Sequence, residues 1–173
     1  YIADNPTVAN AHLRGLNDFF GAVQNQQLGT KGGVFYVRGG YDNNDGLVPV
    51  DPNPAVRAAF PGSDDHPGYS DGQIAEQLLA DEINAIAASP YWKDSAIVIA
   101  YDETDGLYDH GAVTTRVNDP QGNPLEPSQR IPALVISPYG KSHAIIHQNT
   151  EHSSIIKLCL LYTSPSPRDR QKS

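Results

Sequence analysis

The chain has 173 residues, of which 39% are hydrophobic, and its formal net charge is −8 at pH 7. A chain of this length is expected to form one domain with its own core. The acidic balance argues against nucleic acid as a partner, since binding to a phosphate backbone requires a basic surface. No apolar run approaches the roughly 18 residues of a membrane span, so no transmembrane segment is predicted.

The first predicted elements are a helix and a short strand. Apolar residues recur every three or four positions over residues 9–26, which predicts a helix with one apolar face. Glycines at 29, 32 and 33 interrupt this pattern, and residues 33–38 are typical of a short strand. The turn-rich loop that follows carries Asp and Asn at positions 42–45. It could bind calcium, but it lacks regular ligand spacing, so a solvated turn is the preferred interpretation.

The clearest helix is predicted over residues 71–89, with Ser70 or Asp71 as its N-cap and Pro90 beyond its end. The apolar run of residues 95–100 follows, and a second apolar run occupies residues 131–137. Continuous apolar runs are typical of strands buried on both faces of a parallel sheet. A polar, hairpin-like excursion separates them at residues 113–129. We therefore predict an α/β fold with a central, mostly parallel sheet flanked by helices.

The first of these strands runs directly into the acidic sequence YDETDGLYDH at residues 101–110. In open α/β sheets, ligands bind at the carboxyl ends of the strands. Adjacent carboxylates repel each other and need a compensating cation or proton, and a hard divalent metal prefers oxygen ligands. Asp102 and Glu103 are therefore predicted to bind a divalent metal ion. The alternative is an acidic turn that simply leaves the strand.

The wider sequence resembles the bacterial phosphoesterase family of phosphatidylcholine-type phospholipases C and acid phosphatases. The resemblance rests first on residues 101–110 and on the sequence WKDS at 92–95, which precedes their strand. Three further segments occur in the expected order: DHPGYSD at 65–71, RIPALVISPY at 130–139 and HSSIIK at 152–157. This family belongs to the alkaline-phosphatase superfamily. The resemblance implies metal-dependent hydrolysis of a phospholipid headgroup ester or a soluble monoester, and a secreted or periplasmic location.

The resemblance also implies roles for individual residues. Asp102 and Glu103 would be the paired metal ligands, and His66 would bind phosphate or protonate the leaving group, with Asp65 beside it. His152 would face the pocket as a catalytic candidate. Asp109 and His110 would either orient the metal ligands or hold the turn after the strand.

Several alternatives remain open for these polar residues. His66 could instead be a hydrogen-bonded residue of the turn before the helix. Arg130 is expected to form a salt bridge at the start of its strand rather than to clamp a phosphate. His143, His147 and His152 have spacings that suggest a zinc cluster, but the residues between the first two are more typical of a strand than of a helix.

The family's nucleophile and an early Glu-Asn ligand pair have no counterpart in this sequence. Residues 1–158 are therefore expected to be the C-terminal part of one catalytic domain, which would be inactive alone. Residues 159–173 resemble a translated sequencing adapter and are expected to be a non-native, disordered tail. Two other functions stay open, a non-catalytic metal-binding module and another hydrolase of the superfamily, such as a sulfatase.

Overall fold

The computed structural model describes residues 4–30, 32–113, 116–126 and 128–163. The chain divides into two compact units, Tyr1–Ser95 and Ala96–Ser173. The first unit is helical, and the second contains two small antiparallel sheets and a helix. This mixture is consistent with part of an α/β domain. No helix in the described ranges is long and apolar enough to cross a bilayer.

The described residues of the first unit contain the α-helices α1 Pro6–His12, α2 Leu16–Gln24, α3 Pro54–Ala59 and α4 Gly72–Ala87, and a short 3-10 helix at Trp92–Asp94. The single helix predicted over residues 9–26 is therefore two helices. The chain is extended at Leu13, and the backbone N–H of Gly15 donates to the Asp18 carboxylate at 3.1 Å. This bond caps the start of α2, so the local cap overrides the continuous apolar periodicity.

Helix α4 confirms the strongest helix prediction. The Asp71 carboxylate accepts hydrogen bonds from the backbone N–H groups of Gln73 at 2.9 Å and Ile74 at 3.2 Å, which fixes the first turn. The buried hydrophobic residues of α4 are Ile74, Leu78 and Ile86. Helix α2 packs against α4 and contributes the buried Val23. These contacts form the small core of the first unit.

Glu82 occupies the same face of α4 as this core, because it lies four residues after Leu78 and four before Ile86. Its Oε1 atom is buried and has no hydrogen-bond partner in the described part of the chain. Burial raises the pKa of Glu82 above its ordinary value of 4.5. An ionised carboxylate at this position therefore destabilises the folded unit.

Replacing Glu82 by leucine is expected to stabilise the first unit at pH 7 by about 1 kcal/mol, since a buried unpaired polar group is removed. The folded unit binds more protons than the unfolded chain between pH 4.5 and the raised pKa, so wild-type stability falls as pH rises through that window. The variant should lose this dependence. Urea unfolding monitored by Trp92 fluorescence measures both effects, and Glu76→Gln on the exposed side of α4 is the control. A less stable Glu82→Leu variant at pH 7 would contradict the prediction.

Residues 33–38 do not form the predicted strand. They are irregular in the structure, and Phe35 and Tyr36 are 51% and 83% exposed. No described segment of the first unit pairs with them as a strand. A β-propensity signal forms a strand only where a partner supplies the ladder of hydrogen bonds.

The second unit contains β1 Ile97–Ala100, β2 Val117–Asn118, β3 Pro124–Glu126, β4 Ala133–Ile136 and α5 His152–Thr163. Strands β2 and β3 form an antiparallel hairpin, which confirms the predicted excursion. Its turn is held by the Asp119 carboxylate, which accepts from the backbone N–H of Gln121 at 2.9 Å and of Asn123 at 2.7 Å. Helix α5 includes residues 159–163 of the expected non-native tail, and residues 164–173 lie outside the described residues.

The predicted parallel sheet is not confirmed, because β1 and β4 pair antiparallel with Ile97 opposite Ile136 and Ala100 opposite Ala133. Neither strand is buried on both faces: β1 is half-buried, and Leu134 and Val135 on β4 are 51% and 60% exposed. Parallel pairing needs a crossover connection, usually a helix. No described residue between β1 and β4 is helical, and the chain returns instead through the β2–β3 hairpin.

Candidate functional site

The predicted metal ligands lie in a tight turn directly after β1. The backbone N–H of Glu103 donates to Asp102 Oδ1 at 3.0 Å, and the backbone N–H of Asp105 donates to Glu103 Oε2 at 2.7 Å. Asp105 and Gly106 both have positive φ, and the Leu107 N–H closes the turn on the Thr104 carbonyl at 2.9 Å. Both carboxylates are exposed. The turn therefore presents two adjacent carboxylates and uses one oxygen of each to hold its own shape.

This carboxylate pair fits part of a divalent metal site. Carboxylate oxygens suit hard cations such as Mg²⁺, Mn²⁺ and Ca²⁺, which need six or more ligands including water. Within the described ranges, no group of three or more His, Cys, Asp or Glu residues is arranged to hold a metal ion. Asp102 and Glu103 would therefore need further ligands from water, substrate or other residues.

The acidic loop at 42–45 supports the turn interpretation rather than a calcium site. The Asn43 side-chain amide donates to the carbonyls of Leu47 at 3.0 Å and Pro61 at 2.9 Å, and its oxygen accepts from the Leu47 N–H at 2.8 Å. The Asn43 oxygen is thus already used to close the loop. This loop has a structural explanation that requires no ion.

Asp109 is held firmly by Arg130. The Asp109 carboxylate accepts from the Arg130 backbone N–H at 2.9 Å and from Arg130 Nε at 3.0 Å, and Arg130 Nη2 binds its other oxygen. The Gly111 N–H adds a bond at 2.8 Å. Hydrogen bonds from Arg130, and then from the backbone of Gly111, hold the pKa of Asp109 well below its usual range. This agrees with the expected salt bridge of Arg130 at the start of its strand.

The Asp109–Arg130 pair joins the end of the acidic segment to the residues just before β4. Residues 111–129 lie between the two partners in the chain, so the pair closes the excursion that contains the hairpin. His110 lies beside it, with its Nε2 atom 3.4 Å from Arg130 Nη2. Asp109 therefore holds the turn after β1, which was one of the two roles considered for it. His110 lies next in the chain, at an exposed position.

Replacing Asp109 by asparagine is expected to loosen the β1–β4 pair at neutral pH. Because the pKa of Asp109 is lowered in the folded unit, its ionised carboxylate stabilises that unit at any pH above the ordinary pKa of 3.8. This stabilisation is lost as the pH falls through the lower pKa of the folded state. Wild type and variant should therefore differ in β1 and β4 amide-exchange protection at pH 7 and converge in strong acid.

Gly111→Ala tests the same contact without altering the carboxylate. Its Cβ would lie 2.6 Å from Arg130 Nε and 2.7 Å from Cζ, so the guanidinium would have to shift from its present position on Asp109. The same loss of protection is expected. Unchanged exchange in both variants would show that the pair does not hold the strands.

His152 lies at the start of α5 and contacts the end of β1. Its Nε2 atom is 2.8 Å from the carbonyl oxygen of Tyr101, the residue immediately before Asp102. The structure thus brings His152 next to the acidic turn. His143 and His147 are exposed in an irregular segment, and no described cluster joins them to His152.

His66 and Asp65 belong to the first unit, in the loop before α4. The His66 ring stacks on the Tyr69 ring, with centroids 4.3 Å apart and an interplanar angle of 14°. The Gly68 N–H donates to His66 Nδ1 at 3.0 Å. Asp65 is exposed and has a φ of 62°, in the left-handed region. The hydrogen-bonded turn considered for His66 is therefore present.

Sequence reasoning did not single out Asp64. Its carboxylate accepts from the Tyr69 hydroxyl at 2.8 Å and from the Ser70 hydroxyl, and it pairs with Arg38 at 3.3 Å. Burial alone would raise the pKa of Asp64, but the bonds from Ser70, Tyr69 and the His66 backbone hold it below the ordinary value. The sequence signal that could have indicated this network is the pair of hydroxyl-bearing residues Tyr69 and Ser70, five and six positions after Asp64.

Comparison with known proteins places these residues in a family. The Phosphoesterase family matches residues 7–160. The chain is 32% identical over 114 residues to non-specific phospholipase C1 of Arabidopsis thaliana, covering 56% of this chain and 21% of that protein. It is 27% identical over 129 residues to phospholipase C B of Mycobacterium tuberculosis, covering 61% of this chain and 24% of that protein.

The chain therefore spans only about a fifth to a quarter of the length of the curated relatives it matches. No solved structure matches it. The family match nevertheless covers all four segments on which the resemblance rests, from the loop of His66 to the start of α5. The chain belongs to the Phosphoesterase family.

Proposed function

We propose that this chain forms part of a metal-dependent hydrolase of phosphoric esters, of the phospholipase C type. The observation that carries the proposal is the turn after β1, which presents Asp102 and Glu103 side by side in a member of the Phosphoesterase family. The relatives named phospholipase C support the ester class. Phospholipid headgroup esters and soluble monoesters are the two substrate classes to be tested.

In this proposal, Asp102 and Glu103 hold a divalent ion through carboxylate oxygens. When bound, such an ion polarises the phosphoryl oxygens and lowers the pKa of a coordinated hydroxyl or water. His152 fixes the end of β1 through the Tyr101 carbonyl and so keeps the carboxylate pair in place. His110, beside the Asp109–Arg130 pair, is a candidate for contact with the substrate.

His66 is proposed to bind phosphate or to protonate the leaving group, with Asp65 beside it. Because the Gly68 N–H donates to Nδ1, a neutral His66 ring carries its proton on Nε2. That N–H is suited to donate to a phosphoryl oxygen or to the departing oxygen.

The test compares the 173-residue chain with a longer protein that contains residues 1–158. Each is assayed with a choline-phosphate diester, a phosphate monoester and an aryl sulfate, with and without a chelator. We expect the longer protein to hydrolyse a phosphoric ester, to lose activity with chelator and to regain it with Mg²⁺, Mn²⁺, Ca²⁺ or Zn²⁺. We expect no turnover from the 173-residue chain alone.

Other outcomes would overturn parts of the proposal. Hydrolysis that a chelator does not inhibit would contradict the proposed dependence on a metal ion. Hydrolysis of the sulfate ester alone would indicate a sulfatase-type enzyme. Metal binding without hydrolysis of any ester would indicate a non-catalytic metal-binding module.

A further inference from the structure

Three backbone segments of the first unit cross at Ser63, and we call residues 39–42, 62–64 and 69–71 the Ser63 crossing. The Ser63 N–H donates to the Gly40 carbonyl at 2.9 Å, and its hydroxyl donates to the Asp42 carbonyl at 3.0 Å. The Gly62 N–H donates to the Tyr69 carbonyl at 2.9 Å. Ser63 is 5% exposed. The crossing therefore fixes the backbone on both sides of the Asp65-His66 tip.

Asp64 leads from this crossing into the tip, and its side chain is only 11% exposed. Its carboxylate accepts a hydrogen bond from the Tyr69 hydroxyl at 2.8 Å and another from the Ser70 hydroxyl. Burial and the bond to Asp64 raise the pKa of Tyr69 to about 12, so the phenol remains a donor at any physiological pH. The ionised Asp64 is thus a stable acceptor for the Tyr69 hydroxyl.

Tyr69 connects Asp64 to His66. Its hydroxyl is bonded to Asp64, and its ring stacks on His66 with an interplanar angle of 14°. The Tyr41 ring also contacts it, with centroids 4.5 Å apart. A change of the Tyr69 χ1 rotamer would move the hydroxyl away from Asp64 and the ring away from His66. The stacked orientation of the His66 ring is therefore coupled to the Asp64 carboxylate.

We propose that Asp64 is a positioning residue, which holds the His66 ring in a single orientation through Tyr69 before substrate arrives. The Gly68 N–H selects the tautomer of His66, while Asp64 and Tyr69 select its ring plane. This inference rests on the proposed role of His66 in ester hydrolysis. Preorganisation of this kind lowers the cost of aligning a proton donor with the reacting oxygen.

The test uses Tyr69→Phe, which removes the bond to Asp64 but keeps the aromatic ring, and Asp64→Asn. Tyr36→Phe is the control, because it removes a hydroxyl from a residue of the same unit that is 83% exposed. NMR of the 173-residue chain reads the His66 Hδ2 and Hε1 shifts, which stacking on Tyr69 moves upfield. Both test variants should shift these signals towards free histidine, and the control should not.

The second measurement uses the longer, active protein. Loss of orientation is expected to lower kcat about tenfold in Tyr69→Phe and Asp64→Asn with little change in KM. Unchanged His66 shifts in the folded Tyr69→Phe variant would overturn the proposal, whether or not Asp64→Asn folds. Altered shifts with unchanged kcat would also overturn it. If the wild-type longer protein hydrolysed no ester, the proposed function would fail, and the NMR shifts would still decide whether Asp64 and Tyr69 hold the ring.

Discussion

Replacing Gly39 by alanine is expected to destabilise the first unit by about 3 kcal/mol or more, towards or beyond the upper end of the usual cost of overpacking. A Cβ at this position would lie 2.1 Å from the Ser63 carbonyl oxygen, 2.4 Å from its carbon and 2.8 Å from the Asp64 nitrogen. All three are backbone atoms, so no rotation of a side chain relieves the overlap. The Ser63 crossing would have to separate.

Gly40→Ala is the matched control, because a Cβ on the neighbouring residue meets nothing within 4 Å. Neither glycine has a positive φ, so the two substitutions differ in space and not in backbone strain. Trp92, the one tryptophan of the sequence, lies in the first unit and reports its unfolding by fluorescence. Equal urea midpoints for the two variants would show that the close approach of residues 39 and 63 does not matter for stability.

The second large effect is expected at the carboxylate pair. Asp102→Asn and Glu103→Gln each remove one negative charge from the proposed metal site. Loss of a group that hydrogen-bonds to a metal ligand usually lowers affinity or activity 10- to 100-fold. Loss of a ligand is therefore expected to lower ester hydrolysis by the longer protein at least about a hundredfold, and to weaken metal binding.

These two substitutions are chosen because they preserve the turn. Asparagine and glutamine retain a side-chain oxygen that can accept from the N–H groups of Glu103 and Asp105, as the native carboxylates do. Asp94→Asn is the charge control, since its side chain is 78% exposed and its ion pair with Lys93 is 3.9 Å long. Metal affinity by calorimetry and hydrolysis are both measured. Wild-type values in Asp102→Asn and Glu103→Gln would exclude the pair as metal ligands.

The sequence predicted the elements whose signals are local. Helix α4 combines an Asp71 cap with apolar residues on one face, and the structure has both. Strand β1 and the hairpin between β1 and β4 also lie where the apolar run and the turn residues indicated. The expected salt bridge of Arg130 is present. For the helix, the strand and the hairpin, residues close in the chain determine the conformation, whereas Asp109, the partner of Arg130, lies 21 residues earlier.

Predictions that depended on partners distant in the chain were less successful. An apolar run indicates burial but does not specify the direction of the neighbouring strand, and β1 and β4 pair antiparallel. Residues 33–38 have strand propensity without a paired strand in the described part of the first unit. One local signal was also missed: the apolar periodicity predicted a single helix over α1 and α2, because periodicity does not detect the cap that Asp18 forms on Gly15, three residues earlier.

Asp64 and Asp65, the neighbouring acids of the His66 loop, illustrate the difference between what the sequence indicates and what the tertiary structure decides. The sequence by itself indicated the family, which the family match confirms, and it predicted Asp102 and Glu103 as metal ligands and His66 as a site residue, because these signals depend on contiguous residues. Only the tertiary structure decided that Asp64 points into the network of Tyr69 and Ser70 while Asp65 is exposed. That choice depends on the Ser63 crossing and on Arg38, which lies 26 residues earlier in the chain and meets Asp64 only after folding.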